Sequence, residues 1–313
     1  MSYAQARTID ISTIPVIDMD APGLPEAMLA AAERSGFFYI RNPAIPQSLI
    51  DEVLLLSRRF FAAPLEAKQD ARVNAWHRGF IRAGEAKMAD GAIPDLKESF
   101  IWGLDTTDAP QPVRGIPPNR WPHCLPELRP MLNAYFDACH QVGWQLLRAF
   151  AVSIGAPDDT FVRSIDRPIS RGSLIYYPPQ PPSMGREQFG VSPHTDYGCL
   201  TLLYQDAVGG LQVQGHDGEW ITAHPIPGTF VVNVGDLLAR WTNNRFKSTP
   251  HRVVNASGRE RYSIALFLDP NEETEITPVL RQGEASPYET VTAAGYIKGR
   301  LDAAFAYRRT AHG

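Results

Sequence analysis

The first half of the chain combines apolar residues at helical spacing with a few short apolar runs. The strongest helical pattern covers residues 132–155, where apolar side chains recur every three or four positions until Gly155 and Pro157 end it. The other elements predicted in this half are helices at 24–35 and 46–61 and strands at 14–18, 37–40, 79–81 and 98–102.

After Ile169 the pattern changes to short β-rich runs separated by Gly, Pro, Asn and Asp. These runs occupy residues 174–177, 200–204, 210–213, 220–222, 230–234, 251–254 and 262–268. Regularly spaced short strands with turn signals between them are typical of an all-β barrel or sandwich. An amphipathic helix is predicted after them, at about residues 292–307.

The composition of the 313-residue chain is that of a globular protein, with 44% hydrophobic and 20% charged residues. A formal net charge of −4 offers no basic excess for a phosphate backbone, so nucleic acid is not expected as a partner. The 27 Pro and 24 Gly residues predict many short elements, because Pro interrupts helix interiors and central strands.

The cysteines and the N-terminus bear on the compartment. Cys124, Cys139 and Cys199 form no Cys-x-x-Cys pair, so neither a thiolate zinc site nor a disulfide framework is expected. The first residues lack the basic and apolar regions of a signal peptide, and no run of about 18 apolar residues is present to span a membrane. We therefore predict a cytoplasmic protein with no membrane partner, and the sequence is compatible with a monomer.

One of the eight histidines is followed two residues later by an acid, in His194-Thr195-Asp196. In a strand, the imidazole and the carboxylate would point to the same face, roughly 7 Å apart along it. The best third ligand is His251, where a loop enters a β-branched run. Two histidines and one carboxylate form the facial triad of non-haem Fe(II) oxygenases, which leaves three coordination positions open.

A purely structural role is the alternative for this cluster. A His-x-Asp pair is common where a strand histidine only hydrogen-bonds a nearby acid, although Gly190 and Gly198 would let the chain turn tightly on both sides of this pair. The remaining histidines are expected outside the site: His140 in the long helix, His224 in a loop, and His77, His123, His216 and His312 at the surface.

Arg261 and Ser263 are a second candidate pair, at the start of an apolar strand where both share one face. An arginine directed into an apolar barrel needs an anion, because an unpaired buried charge is costly, and its planar fork fits a carboxylate. Tyr177 ends an earlier strand and can add a phenol to the same group. The alternative is a surface ion pair of Arg261 with an acid such as Glu260 or Asp269.

Taken in order, these segments resemble the isopenicillin N synthase-like branch of the Fe(II)/2-oxoglutarate-dependent dioxygenases. The resemblance covers nearly the whole chain. Its main segments are His194-Thr195-Asp196-Tyr197-Gly198, residues 206–213, Asn233-Val234-Gly235-Asp236, His251-Arg252-Val253 and Arg261-Tyr262-Ser263. Further matching segments are residues 14–18, 36–38, 78–80, 97–100, 119–122 and 176–178.

The resemblance implies a mostly β protein with helices (α+β). It has a double-stranded β-helix, or jelly-roll, core with a helical N-terminal region and a C-terminal helix. The corresponding predicted regions are an N-terminal dioxygenase region at 1–130, a support helix and linker at 131–167, the oxygenase core at 168–270, and a C-terminal helix and tail at 271–313.

The resemblance also implies roles for single residues. His194, Asp196 and His251 would bind iron, and Arg261 and Ser263 would hold the distal carboxylate of 2-oxoglutarate with Tyr177 beside them.

Two positions depart from relatives of this kind. Ile175 stands where many plant members have an asparagine, which removes one polar contact to the cosubstrate. Ser173 stands where the ethylene-forming branch has an arginine for its amino-acid substrate, which argues against arginine-linked ethylene formation.

The activity that the resemblance implies is oxidation, most commonly hydroxylation, of a small organic molecule with Fe(II), 2-oxoglutarate and O2, releasing succinate and CO2. Two alternatives stay open at this point. One is a cosubstrate-free iron oxidase of the isopenicillin N synthase type, which shares the Arg-x-Ser motif. The other is a non-catalytic binding module that keeps the fold.

Substrate contacts are expected near the mouth of the barrel. The candidates for the pocket are Arg78, Phe100, Tyr197 and Phe267. Arg78 and Lys97 could meet an acidic group, with surface solvation as the alternative. Phe100, Trp102 and Phe267 could line an apolar pocket, with core packing as the alternative.

Overall fold

The computed structural model describes residues 14–85, 94–180 and 188–305. The helices are α1 Leu24–Arg34, α2 Gln47–Ala62, α3 Leu128–Ser153, α4 Asp236–Trp241 and α5 Ala293–Ala304, with a 3-10 helix at Leu65–Ala71. The strands are β1 Val16–Asp18, β2 Phe37–Arg41, β3 Gly79–Ile81, β4 Glu98–Gly103, β5 Arg171–Tyr177, β6 Val191–His194, β7 Leu200–Gln205, β8 Leu211–Gln214, β9 Trp220–Thr222, β10 Thr229–Val234, β11 His251–Val253, β12 Arg261–Leu268, β13 Glu275–Ile276 and β14 Val291–Thr292.

Two sheets face each other. The larger has the strand order β1-β2-β10-β7-β12-β5-β4-β3, and the smaller has the order β6-β11-β8-β9. Side chains from both sheets, among them Tyr177, Val213 and Val253, pack in one apolar layer between them. Apart from the parallel pair β1 and β2, the strand pairings in these two sheets are antiparallel. The mostly β jelly-roll with helices that the sequence predicts is confirmed.

The larger sheet is buried on both faces. Tyr262, Ile264 and Leu266 of β12 pack on the outer face, in the core that the helices complete. The intervening residues face the smaller sheet and the cavity between the sheets. Burial on both faces explains why β12 is almost continuously apolar.

The long helix α3 begins at Leu128, four residues before the predicted start. Pro130 does not interrupt the helix, because it lies in the first turn, where the missing N–H would have no intrahelical partner. Further along α3, Gly143 allows close contact with β12, because a Cβ there would lie 2.4 Å from Leu268 Cδ1. This helix therefore fixes the position of the central strand of the larger sheet.

Five short elements were absent from the sequence prediction: the 3-10 helix, β6, α4, β13 and β14. Each has two to seven residues, which is too short for a periodic pattern to be recognised. The C-terminal helix α5 ends at Ala304, and the predicted continuation to residue 307 reaches beyond the described residues. None of the helices described is both long and apolar enough to cross a membrane.

Candidate active site

His194 and Asp196 lie at the end of β6 and in the loop that follows it. The prediction that both sit on one strand is wrong, because β6 ends at His194. The loop is instead fixed from outside: the backbone N–H of Asp236 donates to the carbonyl of Asp196 at 2.7 Å. Gly235 permits this contact, since a Cβ there would lie 2.2 Å from the carbonyl oxygen of Gly198.

His251 reaches the same place through strand pairing. It is the first residue of β11 and lies opposite His194 in the antiparallel pair β6–β11. The two imidazole centroids are 4.2 Å apart. The Nε2 atoms of His194 and His251 lie 3.7 Å and 3.8 Å from Asp196 Oδ1. The three side chains thus converge on one point.

Hydrogen bonds orient each of the three groups. Nδ1 of His194 donates to the carbonyl of Ser192 at 2.8 Å, and Nδ1 of His251 donates to the carbonyl of Thr249 at 3.2 Å. A carbonyl can only accept, so Nδ1 carries the proton and Nε2 keeps its lone pair toward Asp196. Backbone support of this kind is typical of metal-binding histidines.

The carboxylate of Asp196 is held by two polar side chains of the larger sheet. Its Oδ2 accepts from Thr201 Oγ1 at 2.5 Å and from Asn233 Nδ2 at 2.8 Å. Both donors act on Oδ2, so Oδ1 is left to face the two histidines. The Asn233 segment belongs to the family resemblance, but no role for this side chain followed from the sequence.

Burial and charge set the protonation of the cluster. Burial, together with the nearby His251, lowers the pKa of His194 to about 3. Burial opposes ionisation of Asp196, but His251, His194 and the hydrogen bonds from Asn233 and Thr201 outweigh it and lower its pKa. At neutral pH His194 is neutral and Asp196 is ionised, the forms in which these groups bind a metal. Among the described residues, these three ligand groups have the atom types and the spacing to bind one divalent metal ion.

Arg261 is fully buried at the start of β12. Its Nη1 donates to Ser263 Oγ at 3.2 Å and its Nη2 to Gln205 Oε1 at 3.4 Å, while its Nε donates to the carbonyl of Gly209. The guanidinium carbon lies 4.5 Å from the centre of the Tyr177 ring. The sequence predicted Tyr177 and Ser263 beside Arg261, and the structure brings all three together.

The surface ion pair considered for Arg261 is not found. Glu260 accepts from the hydroxyls of Tyr176 and Tyr262, and Asp269 is the ion-pair partner of Arg171. Among the described residues, no carboxylate lies within ion-pair distance of Arg261. A buried guanidinium in this state is suited to bind an external anion.

One cavity between the two sheets contains both groups. The metal-binding candidates and Arg261 line it, together with Ser263, Tyr177, Tyr197 and Phe267. Strand alternation on β12 places Arg261, Ser263, Ala265 and Phe267 along one wall, from one end of the cavity to the other. Tyr197 and Phe267 therefore lie where the sequence placed the pocket.

The position of Phe100 corrects the prediction for β4. Phe100 is fully buried against Phe60 and Trp121, and Trp102 is also in the core. The neighbouring Ser99 and Ile101 line the cavity instead. A run of apolar residues on a strand buried on both faces does not reveal which face each residue takes.

Surface solvation, the alternative considered for Arg78 and Lys97, is not found: Arg78 is buried and the Lys97 side chain is 12% exposed. Arg78 is 3% exposed and packs against Gly103, where a Cβ would lie 2.4 Å from its Nη2. It does not line the cavity, so it is wrong as a pocket candidate. Lys97 does line the cavity, and its Nζ lies 3.5 Å from Asp95 Oδ2.

Of the other histidines, His77 is the one misplaced. It was predicted at the surface but is 6% exposed, lines the cavity and contacts the ring of Phe305, with centroids 4.5 Å apart and the rings tilted by 50°. His123 and His216 are exposed as expected, and His312 lies outside the described residues. Phe305 follows α5, so the pairing of His77 with it joins two distant parts of the chain and has no local signal.

Comparison with known proteins identifies the family. A family profile described as the 2OG-Fe(II) oxygenase superfamily matches residues 172–270. A second profile, described as the N-terminal region of non-haem dioxygenase in morphine synthesis, matches residues 8–124.

Two curated relatives align over most of their length. The 2-oxoglutarate-Fe(II) type oxidoreductase hxnY of Emericella nidulans is 34% identical, with 88% of this chain and 83% of the relative covered. Homoarginine-6-hydroxylase of Glycine max is 33% identical, with 86% of this chain and 89% of the relative covered.

A solved structure has the same fold. A full-length Neurospora crassa protein, crystallised in complex with alpha-KG (2-oxoglutarate), superposes with a TM-score of 0.84 at 32% identity, covering 96% of this chain and 100% of that chain. A second structure of the same Neurospora crassa protein contains alpha-KG and thymine. The chain therefore belongs to the 2OG-Fe(II) oxygenase superfamily and is an oxidoreductase that uses Fe(II), 2-oxoglutarate and O2.

Proposed function

We propose that His194, Asp196 and His251 bind the Fe(II) and that the enzyme uses it to hydroxylate a small organic molecule. The observation that carries this assignment is the convergence of three ligand atoms that lie within 4.8 Å of one another. Bond lengths of about 2.0–2.2 Å to nitrogen and oxygen would need only small movements of these side chains. Bound there, the iron supplies the redox chemistry and open coordination positions.

Arg261 and Ser263 are proposed to bind the distal carboxylate of 2-oxoglutarate, with Tyr177 beside them. Support comes from the full burial of Arg261 and the lack of a carboxylate partner among the described residues. Ile175, which lies opposite Ser263 on β5, also lines the cavity and gives the cosubstrate an apolar wall there. A charge-assisted bond of this kind contributes roughly 1.5–3 kcal/mol.

The chain's own residues then have three tasks. Backbone carbonyls at Ser192 and Thr249 hold the two imidazoles in one tautomer, so that both present a lone pair. Thr201 and Asn233 hold the carboxylate of Asp196 with one oxygen toward the histidines. The apolar walls restrict water around the reacting atoms.

The cosubstrate-free oxidase is not favoured, because the Emericella nidulans relative is named a 2-oxoglutarate-Fe(II) type oxidoreductase and the similar Neurospora crassa structure contains alpha-KG. The matching sequence segments, which follow one another in the same order along the chain, support placement in the isopenicillin N synthase-like branch. The three unpaired cysteines support the cytoplasm as the compartment. The thymine complex of the Neurospora crassa protein supports a prime substrate of small size here.

A substrate screen tests the proposed reaction. Purified enzyme with Fe(II) and 2-oxoglutarate is incubated with small organic molecules, succinate is measured, and products are analysed by mass spectrometry. Hydroxylation predicts one product molecule, heavier by one oxygen atom, for each succinate formed. A product that is lighter than the substrate by two hydrogen atoms would show that the reaction is desaturation and not hydroxylation. Substrate oxidation without succinate would contradict use of the cosubstrate.

A further inference from the structure

The cavity is lined by two cations to which the proposed iron and 2-oxoglutarate sites give no role. The cationic side chains lining the cavity are Lys97, Arg171 and Arg261, and the one acid lining it within the described ranges is Asp196. The formal charges of Fe(II), Asp196, Arg261 and dianionic 2-oxoglutarate cancel. The positive charges that remain facing the cavity are those of Lys97 and Arg171.

Arg171 lies at the opposite end of the cavity from Arg261. It is the first residue of β5 and pairs with Phe267, whereas Tyr177 at the other end of β5 pairs with Arg261. Six residues of extended strand separate the two levels, roughly 20 Å. Arg171 is therefore too far from Arg261 to share the distal carboxylate of one 2-oxoglutarate molecule, which is a short five-carbon chain.

The guanidinium of Arg171 has incomplete partners although it is only 8% exposed. Its Nη2 lies 3.7 Å from Asp269 Oδ2, which is longer than a hydrogen bond. Its Nε has no hydrogen-bond partner among the described residues. Burial raises the pKa of Asp269 to about 6, which the nearby Arg171 only partly offsets. A buried donor left in this state is costly unless a ligand completes it.

The partner carboxylates are placed behind the wall. Asp95, the partner of Lys97, and Asp269 are both fully buried at their side chains and do not line the cavity. An incoming ligand therefore meets the cations and not the acids. Near Arg171 the lining includes the apolar side chains of Phe267, which lies opposite it on β12, and Ile101 on β4.

We propose that the prime substrate is a small organic carboxylate whose carboxyl group binds Arg171 and whose apolar part lies against Phe267 and Ile101. This inference rests on the proposed function, because the same cavity must hold iron and 2-oxoglutarate. Arg171 suits the role better than Lys97, since a planar fork binds a carboxylate through two parallel hydrogen bonds. The carboxyl group would fix which carbon of the substrate faces the metal.

Matched acid and amide pairs test the proposal in the enzyme loaded anaerobically with Fe(II) and saturating 2-oxoglutarate. The probes are benzoate and benzamide, phenylacetate and phenylacetamide, nicotinate and nicotinamide, and hexanoate and hexanamide. Dissociation constants are measured by calorimetry for the wild type, Arg171→Gln, Arg171→Lys and Lys97→Gln. Arg148→Gln is the matched control, because Arg148 is exposed and pairs with Asp158 at the surface.

At least one acid is expected to bind at least tenfold more tightly than its amide, a difference of about 1.4 kcal/mol. Arg171→Gln should remove this preference, Arg171→Lys should restore part of it, and Arg148→Gln should keep it. If Arg171→Gln does not fold, the double variant Arg171→Gln/Asp269→Asn removes both members of the buried pair and carries the same expectation.

Three outcomes would overturn the proposal: no acid preferred over its amide, a preference that survives Arg171→Gln, or a preference lost only in Lys97→Gln. An amide preferred in every pair would point to a neutral substrate. Titration of 2-oxoglutarate alone into the Fe(II) enzyme separates these results from failure of the proposed function. No binding of 2-oxoglutarate to the wild type would contradict that function and not the role of Arg171.

Discussion

The two ends of the cavity are built differently. At the inner end, formed by Arg261, Ser263 and Tyr177, the guanidinium is fully buried and each of its nitrogens donates a hydrogen bond. At the outer end, formed by Arg171 and Phe267, the guanidinium has one long ion pair and an unsatisfied Nε. The inner end is preorganised before a ligand arrives, whereas at the outer end the guanidinium of Arg171 still has a hydrogen-bond donor that a ligand can use.

The origin of the residues differs as well. Strand alternation along β12 and its register with β5 are enough to assemble the inner end. The outer end also needs residues from distant elements, such as Ile101 on β4 and Leu301 on α5. Neighbouring strands fix a geometry that serves one small cosubstrate. Contacts from separate elements can differ between proteins of one fold and so set the choice of substrate.

The largest effect is expected at the metal site next to the inner end. Asp196→Ala should abolish 2-oxoglutarate-dependent succinate formation, because it removes one ligand and the only negative charge among the three. The melting temperature checks the fold, and His216→Ala, an exposed histidine, serves as a control that should stay active. Unfolding together with loss of activity would show that Asp196 has a structural role.

Substitutions on the two faces of β4 test which of its residues line the cavity. Phe100→Ala should lower the free energy of unfolding by about 3–5 kcal/mol, because it leaves a cavity among aromatic rings. Ser99→Ala, one residue away on the cavity face, should cost no more than about 1 kcal/mol. Urea unfolding of both variants measures the difference. Equal costs would mean that the register of β4 is misassigned.

His140, which lies behind the outer end, is expected to make the stability of the protein depend on pH. His140 Nδ1 donates to the carbonyl of Phe136, so Nε2 accepts from Ser170 Oγ, which in turn accepts from the backbone N–H of Asp269, the partner of Arg171. Burial lowers the pKa of His140 to about 4. Unfolded histidine titrates near about 6.5, so below that pH the unfolded state binds more protons and stability falls.

The loss due to His140 should be complete near pH 4 and reach about 3 kcal/mol. Above about pH 7 both states are neutral and His140 should add no pH dependence. Urea unfolding of the metal-free wild type and of His140→Gln across this pH range isolates the contribution of His140 to stability. Parallel curves for the two proteins would contradict the buried neutral state of His140.

A smaller effect is expected for the cosubstrate anchor. Arg261→Ala should raise the KM for 2-oxoglutarate at least tenfold, about 1.4 kcal/mol, and change the KM of the prime substrate much less. Arg261→Lys should recover only part of this, because an ammonium group cannot form the fork. The kinetic series varies each substrate in turn. A change in KM confined to the prime substrate would instead favour the cosubstrate-free oxidase.

Much of the inner end and of the metal site next to it could be predicted from the sequence, because carboxylate binding and metal binding restrict residue types. His194 with Asp196 and Arg261 with Ser263 are short-range pairs, and their chemistry is visible in a few letters. The reason given for the first pair was wrong: the loop after β6, held by Asp236, brings Asp196 into place rather than strand alternation.

The outer end was harder to predict, since long-range pairing decides it. Phe100 and Ile101 are both apolar, and only the register of β4 with β5 shows which one faces the cavity. Arg171 was not singled out because an arginine at a strand start is usually solvated, and only the facing strand and Asp269 bury it. His77 depends on Phe305, more than two hundred residues away in the chain.

The most direct test of the account is anaerobic titration of Fe(II) and then 2-oxoglutarate into the wild type, Asp196→Ala and Arg261→Ala. The account predicts that the wild type binds both and that Asp196→Ala loses Fe(II). It predicts that Arg261→Ala keeps its affinity for Fe(II) but binds 2-oxoglutarate at least tenfold more weakly. Unchanged 2-oxoglutarate affinity in Arg261→Ala would contradict the assignment of the inner end, and unchanged Fe(II) affinity in Asp196→Ala would contradict that of the metal site.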